Sequence, residues 1–152
     1  MVKLKVAWIQ AKPGKDKSQA TAALTAEYLK RLARYIPVET QELPNEPALF
    51  KQLEKAVGRT TPFLIMLDSR GKQMSSEELA KLLDEHQGRG TQQLIFAVGG
   101  ADGFSAEARK AAGMQLSLGK MTLPHELARV VLLEQLYRAF TILKGHPYHC
   151  GH

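Results

Sequence analysis

Leu94-Ile95-Phe96-Ala97-Val98 runs without a break into Gly99-Gly100-Ala101-Asp102-Gly103. A short, wholly apolar run that ends in glycines reads as a central strand of a sheet. Loops just past the carboxyl ends of such strands are where open α/β sheets bind ligands, because a crevice lined with free backbone groups is left there. Glycines let that backbone approach a ligand closely. The spacing is Gly-Gly-x-x-Gly, which is neither the dinucleotide fingerprint nor a phosphate loop ending in Gly-Lys-Ser/Thr. On pattern alone the cluster reads equally well as a tight strand-to-helix turn.

Working outward, strands and helices alternate. Upstream, Val2 to Ile9 suits a buried first strand, and Pro13-Gly14 marks a loop. Leu24, Tyr28, Leu32 and Tyr35 recur at helical spacing over Ser18 to Tyr35, with Lys30, Arg31 and Arg34 as a basic edge. Val38 to Leu43 reads as a strand, Pro47 to Val57 as a helix and Pro62 to Leu67 as a strand. Asp68 to Lys72 reads as a turn, and Ser75-Ser76-Glu77-Glu78 as the capped start of a helix ending near Gly88. Downstream, a short helix over Ser105 to Ala112 leads to a strand near Gln115 to Leu118. Pro124 then opens a long helix that Gly145 and Pro147 end. The pattern predicts an α/β domain with a mainly parallel sheet flanked by helices. With no repeat or linker in view, residues 1–152 are expected to form a single domain.

The whole chain has 152 residues, enough for one domain with a real core. With 21 Lys plus Arg against 15 Asp plus Glu, the formal charge is +6, which favours an anionic partner such as RNA. One cysteine, Cys150, excludes an intrachain disulfide framework and fits a reducing compartment. No signal peptide and no apolar run long enough to span a bilayer are apparent, so a soluble, cytoplasmic protein with no membrane partner is expected.

Three more segments carry polar groups that need partners. Leu116-Ser117-Leu118-Gly119-Lys120-Met121-Thr122-Leu123-Pro124-His125 leaves a strand and reaches a helix through residues with no ladder to join. Their backbone groups suit the edge of an adenine, although an ordinary loop reads as well. In the last helix, apolar residues such as Leu127, Val131, Leu136 and Ile142 fall on most sides, which points to a subunit interface as much as to a core. On that helix His125 and Arg129 share a face, as do Glu134 and Arg138, the latter pair readable as an intrahelical ion pair. The tail His146-Pro147-Tyr148-His149-Cys150-Gly151-His152 crowds its His and Cys residues with no upstream partner pair, so no metal is expected. Tyr148 and His149 suit stacking on, or hydrogen bonding to, an RNA base.

Read in order, Leu67-Asp-x-x-Gly-Lys72, Gly99-Gly-x-x-Gly103, Leu116 to His125, Glu134-Gln-Leu-Tyr-Arg-Ala139 and His146-Pro-Tyr-His149 resemble the RlmH family of SPOUT-class methyltransferases. The resemblance covers nearly the whole chain. It implies a homodimer whose C-terminal part is a trefoil knot, which nothing in the periodicity reveals. It further implies methylation of N3 of a pseudouridine in large-subunit (23S) ribosomal RNA on assembled ribosomes, with S-adenosylmethionine as donor. The donor contacts it implies are Leu67, Gly99, Leu118, Gly119, Lys120, Met121, Thr122 and Leu123. Two positions depart from the family pattern: Gly119 stands where serine is expected, and Cys150-Gly151-His152 replaces a basic residue after the tail motif. If that residue grips phosphate, His152 is its nearest substitute here.

For this chemistry His149 is the expected base or orienting group, because histidine titrates in the useful range. Arg129 and Arg138 are expected to stabilise negative charge on the base carbonyls. Tyr148, His146 and His125 are expected to contact RNA, and the site to need both chains of the dimer. The competing reading is a non-catalytic ribosome- or RNA-binding factor that retains the fold. An α/β oxidoreductase is disfavoured, because no Gly-x-Gly-x-x-Gly follows the first strand.

Overall fold

The computed structural model describes residues 2–10, 19–54, 60–100 and 102–150. The loop at Pro13-Gly14, the helix start at Ser18, the helix end at Val57, Ala101, Gly151 and His152 lie outside the described residues. The elements are β1 (Lys3–Ile9), α1 (Gln19–Leu32), β2 (Val38–Leu43), α2 (Glu46–Gln52), β3 (Phe63–Gln73), α3 (Ser76–Gly88), β4 (Gln93–Val98), α4 (Ala106–Ala111), β5 (Met114–Ser117) and α5 (His125–Leu143).

The strands form one parallel sheet in the order β2-β1-β4-β3-β5. β4 lies at its centre, and its run Leu94 to Val98 is wholly buried, as the apolar stretch requires. Because side chains alternate across a strand, β4 serves two cores. Leu94, Phe96 and Val98 pack with Leu32 of α1, Leu83 of α3 and Leu132, Leu133, Leu136 and Phe140 of α5. Ile95 and Ala97 pack on the other face with Leu49 of α2 and Ala108 of α4.

Local chemistry sets the element ends. Ser75 Oγ accepts from the Glu78 N–H at 3.0 Å, and Glu78 Oε1 accepts from the Ser75 N–H at 2.9 Å, closing a capping box on α3. α5 stops in a Schellman arrangement: the Gly145 N–H reaches the Ile142 carbonyl at 3.1 Å and the His146 N–H reaches that of Thr141 at 2.9 Å. α2 is shorter than the pattern suggests. Leu53 and Glu54 donate to Phe50 and Lys51, and these tight i→i+3 bonds end the helix at Gln52.

The turn expected at Asp68 to Lys72 is instead a bulge within one long strand. Leu116 of β5 is in register with Leu67 before the bulge and with Lys72 after it. Asp68 to Gly71 therefore bow outward as an arch, initiated by the Arg70 N–H donating to Asp68 Oδ1 at 2.9 Å. The arch lies directly on β5: a Cβ at Gly71 would stand 2.6 Å from the Gln115 carbonyl carbon, so only glycine fits. The strand runs beneath it, and the chain continues from there into α5.

Candidate active site

Beyond the carboxyl ends of β4 and β5, and beside the bulge of β3, the chain encloses a cavity of about 670 Å³. Three segments build it: the arch with Leu67, the glycine loop with Val98 and Gly99, and the stretch from Leu118 to the first turn of α5. Of the residues expected to hold the donor, Leu67, Gly99, Leu118, Gly119, Met121, Thr122 and Leu123 all line it. Lys120 is exposed and does not. His125, expected at RNA, lines this same cavity, with Glu126 Oε1 3.6 Å from its Nε2.

The wall is kept open by backbone rather than side chains. A Cβ at Gly99 would lie 3.2 Å from the Phe104 ring and 3.3 Å from the Gly103 backbone, tight enough to push the loop inward. At Gly119 φ is +133°, a conformation that side chains oppose, and the turn is pinned by Ser117. Ser117 Oγ donates to the Gly119 carbonyl at 2.9 Å and accepts its N–H at 3.1 Å. A mostly apolar, concave space of this size fits an adenosyl thioether or sulfonium.

Sequence reasoning missed the polar rim. Arg109 donates to Asp68 Oδ2 at 3.0 Å, and both line the cavity. Burial works to raise the Asp68 carboxyl, but hydrogen bonds from the Arg70 backbone and side chain and from Arg109 outweigh it and hold it below the ordinary carboxylate range. Asp68 stands inside the quoted Leu-Asp-x-x-Gly-Lys motif, so a signal was present. Arg109 had none, being one more charge on a short helix.

A second cavity of about 410 Å³ adjoins the first, with Leu118 and Gly119 as their common wall. It lies between the first turn of α3, α5 and the tail, and His149 lines it. The His149 Nδ1 is 3.0 Å from an Arg138 guanidinium nitrogen, and its Nε2 is 2.6 Å from Glu77 Oε1. Arg138 also donates to Glu134 at 2.8 Å, so the ion pair read from the i,i+4 spacing is present. The same guanidinium covers the Tyr148 ring at 4.9 Å, and Tyr148 meets Tyr137 edge-on at 4.8 Å. Burial first, and then Glu134, push the Tyr148 phenol up.

The remaining expected residues fall elsewhere. Arg129 is only 4% exposed, its guanidinium stacked 4.4 Å from the Trp8 ring centre, and it lines neither cavity. His146 is exposed at the end of α5. Among the described residues no cluster of His, Cys, Asp and Glu has the closeness to hold a metal ion, and no helix is long and apolar enough to cross a membrane.

Comparison with known proteins identifies the family. Residues 3–149 match the family described as "Predicted SPOUT methyltransferase". The ribosomal RNA large subunit methyltransferase H of Koribacter versatilis is 58% identical, covering 99% of this chain and 100% of that one. Its namesake from Pelotomaculum thermopropionicum is 44% identical over 90% of this chain and 94% of its own. Among solved structures, a probable methylase family protein from Haemophilus influenzae aligns with a TM-score of 0.60 at 9% identity, over 97% of this chain and 70% of that one. The SpoU methyltransferase AviRb from Streptomyces viridochromogenes, solved with AdoMet, aligns with a TM-score of 0.54 at 14% identity, over 90% of this chain and 57% of its own. At such identities the likeness speaks for the fold, the knotted α/β fold of this class. The chain belongs to the SPOUT methyltransferase family and, within it, groups with the ribosomal RNA large subunit methyltransferases H.

Proposed function

We propose that this chain, folded as a single domain and paired with a second copy, methylates N3 of a pseudouridine in large-subunit ribosomal RNA on assembled ribosomes in the cytoplasm. The observation that carries the reading is the pair of adjoining cavities. One is a backbone-lined space suited to S-adenosylmethionine, and the other holds His149 and shares the Leu118-Gly119 wall.

S-Adenosylmethionine, when bound, supplies a methyl group on a cationic sulfur. Leu67, Gly99, Leu118, Gly119, Met121, Thr122 and Leu123 would hold it, whereas Lys120 stands outside the cavity. N3 of the acceptor ring carries a proton whose pKa is well above neutrality, so a group must take that proton or stabilise its loss. His149 serves as that group. Arg138, 3.0 Å from His149 Nδ1, would stabilise charge on a ring carbonyl, whereas Arg129, buried against Trp8 and outside both cavities, is not positioned for that role. Tyr148 would contribute its ring by stacking, exposed His146 would meet RNA phosphate or base edges, and His125 would do so from the rim of the donor cavity.

A second copy is supported by the surface beside the donor cavity. Met121, at the cavity, is 87% exposed, and Leu127, on the first turn of α5, is 40% exposed.

The test is transfer of labelled methyl from S-adenosylmethionine to ribosomes lacking the modification, with separated subunits and free rRNA in parallel. Label on a large-subunit pseudouridine in the ribosome arm is the expected result. Donor binding without label on any ribosomal substrate would overturn the substrate, and absence of donor binding would leave the non-catalytic factor.

A further inference from the structure

The polar groups around the second cavity form a hydrogen-bonded series whose two ends, Ser76 and Glu77, are adjacent in the chain. Ser76 Oγ donates to Gln135 Oε1 at 2.7 Å, and Gln135 Nε2 donates to Glu134 Oε1 at 3.2 Å. Glu134 accepts from Arg138, Arg138 contacts His149, and His149 contacts Glu77, the neighbour of Ser76 in the chain. The series joins the first turn of α3, two turns of α5 and the tail.

Its chemistry fixes the imidazole. A guanidinium can only donate, so Nδ1 of His149 must present its lone pair to Arg138. Nε2 therefore carries the proton and donates it to the Glu77 carboxylate. The hydrogen bond from His149, with help from the Glu77 backbone N–H, holds that carboxyl below its ordinary value, which keeps it ionised near neutrality. The groups facing His149 are Glu77 from α3, Arg138 with Glu134 behind it from α5, and Tyr148 from the tail itself.

We infer that Glu77 is a positioning residue for methyl transfer. It holds the Nε2–H of His149, so that Nδ1, now occupied by Arg138, is the nitrogen offered to the acceptor base. The inference rests on the proposed pseudouridine chemistry. When the ring of the acceptor takes the place of the guanidinium, its N3 proton passes to Nδ1. The freed N3 electron pair forms the bond to the methyl carbon, and the C–S electron pair stays on sulfur. The imidazolium so formed is neutralised through Nε2–H by Glu77 and later returns its proton to solvent. A carboxylate behind an imidazole in this way selects the tautomer and stabilises the charged ring without itself being protonated. Arg138, displaced from Nδ1, stays beside the ring, where it faces a carbonyl oxygen.

Two independent readouts test this. In 15N-histidine-labelled protein without donor or RNA, His149 is expected as the Nε2–H tautomer with an exchange-protected Nε2 proton. That protection is lost in Glu77→Ala. An Nδ1–H tautomer in the wild type would overturn the inference whatever the enzyme methylates. In single-turnover methyl transfer to ribosomes with donor saturating, Glu77→Gln and Glu77→Ala are expected to lower the rate about 10- to 100-fold. Donor dissociation constant and half-saturating ribosome concentration stay unchanged. In a His149→Ala background the same substitutions are expected to cause no further loss. Unchanged rates in the single variants, or an equal loss in both backgrounds, would overturn the positioning role. A wild-type protein that transfers no methyl at all would count against the proposed function, while the tautomer measurement would still decide the placement of the proton.

Discussion

Gly119 shows how one residue can be legible by type and illegible by geometry. Its place in the donor loop was clear from the order of motifs, and its departure from the family serine was visible. Its φ of +133° was not, because local spacing says nothing about a turn that Ser117 pins from both sides. A side chain in that conformation costs roughly 1–2 kcal/mol. Gly119→Ala is therefore expected to raise the donor dissociation constant about 5- to 30-fold while leaving the melting temperature within a few degrees. Calorimetric titration with S-adenosylmethionine reads this, and an unchanged affinity would show that the loop relaxes at no cost. His149 and Arg138 were legible as candidates from their chemistry. Glu77 was not, since an acid in a first turn has an ordinary explanation in the helix dipole. Only the return of the tail to α3 gives it a second task.

At the scale of elements, strands and helices were read nearly to their ends, because buried parallel strands leave apolar runs and caps leave Ser, Asn and Gly. The bulge in β3 escaped. Asp-Ser-Arg-Gly is an ordinary turn sequence, and what returns Lys72 and Gln73 to the sheet is a partner strand some forty residues downstream. α3 carries its own acid sensitivity. Burial first, and then Arg89, hold the His86 imidazole below its ordinary 6.5, with Nδ1 2.8 Å from the Thr91 hydroxyl. A folded-state value below the unfolded one contributes stability that is present above pH 6.5 and lost as the pH falls through the folded value. Stability should therefore fall below pH 6.5 more steeply in the wild type than in His86→Gln, by at most about 1.4 kcal/mol per pH unit. Chemical denaturation of both proteins between neutrality and mild acid measures the difference, and parallel curves would refute it.

For the molecule as a whole, the parallel α/β class followed from alternation, whereas the knot came from resemblance alone. No periodicity records which segment passes under which. The apolar excess on α5 pointed to an interface as much as a core; most of it is core, since Leu132, Leu133, Leu136 and Phe140 are buried within the single chain. Leu127 and Met121 remain for a second copy. If donor and tail come from different chains, mixing a His149→Ala protein with a Gly99→Trp protein is expected to restore activity that neither has alone. Up to about a quarter of wild-type activity per total protein is expected from random pairing of identical interfaces. No recovery, with mixed dimers verified, would place both halves of the site in one chain. The strand beneath the arch carries a last consequence. Because the Gly71 backbone lies against Gln115 and Leu116, the arch that walls the donor cavity is seated only once β5 has docked beside β3. In a refolding experiment donor binding is therefore expected to lag behind the recovery of helix signal.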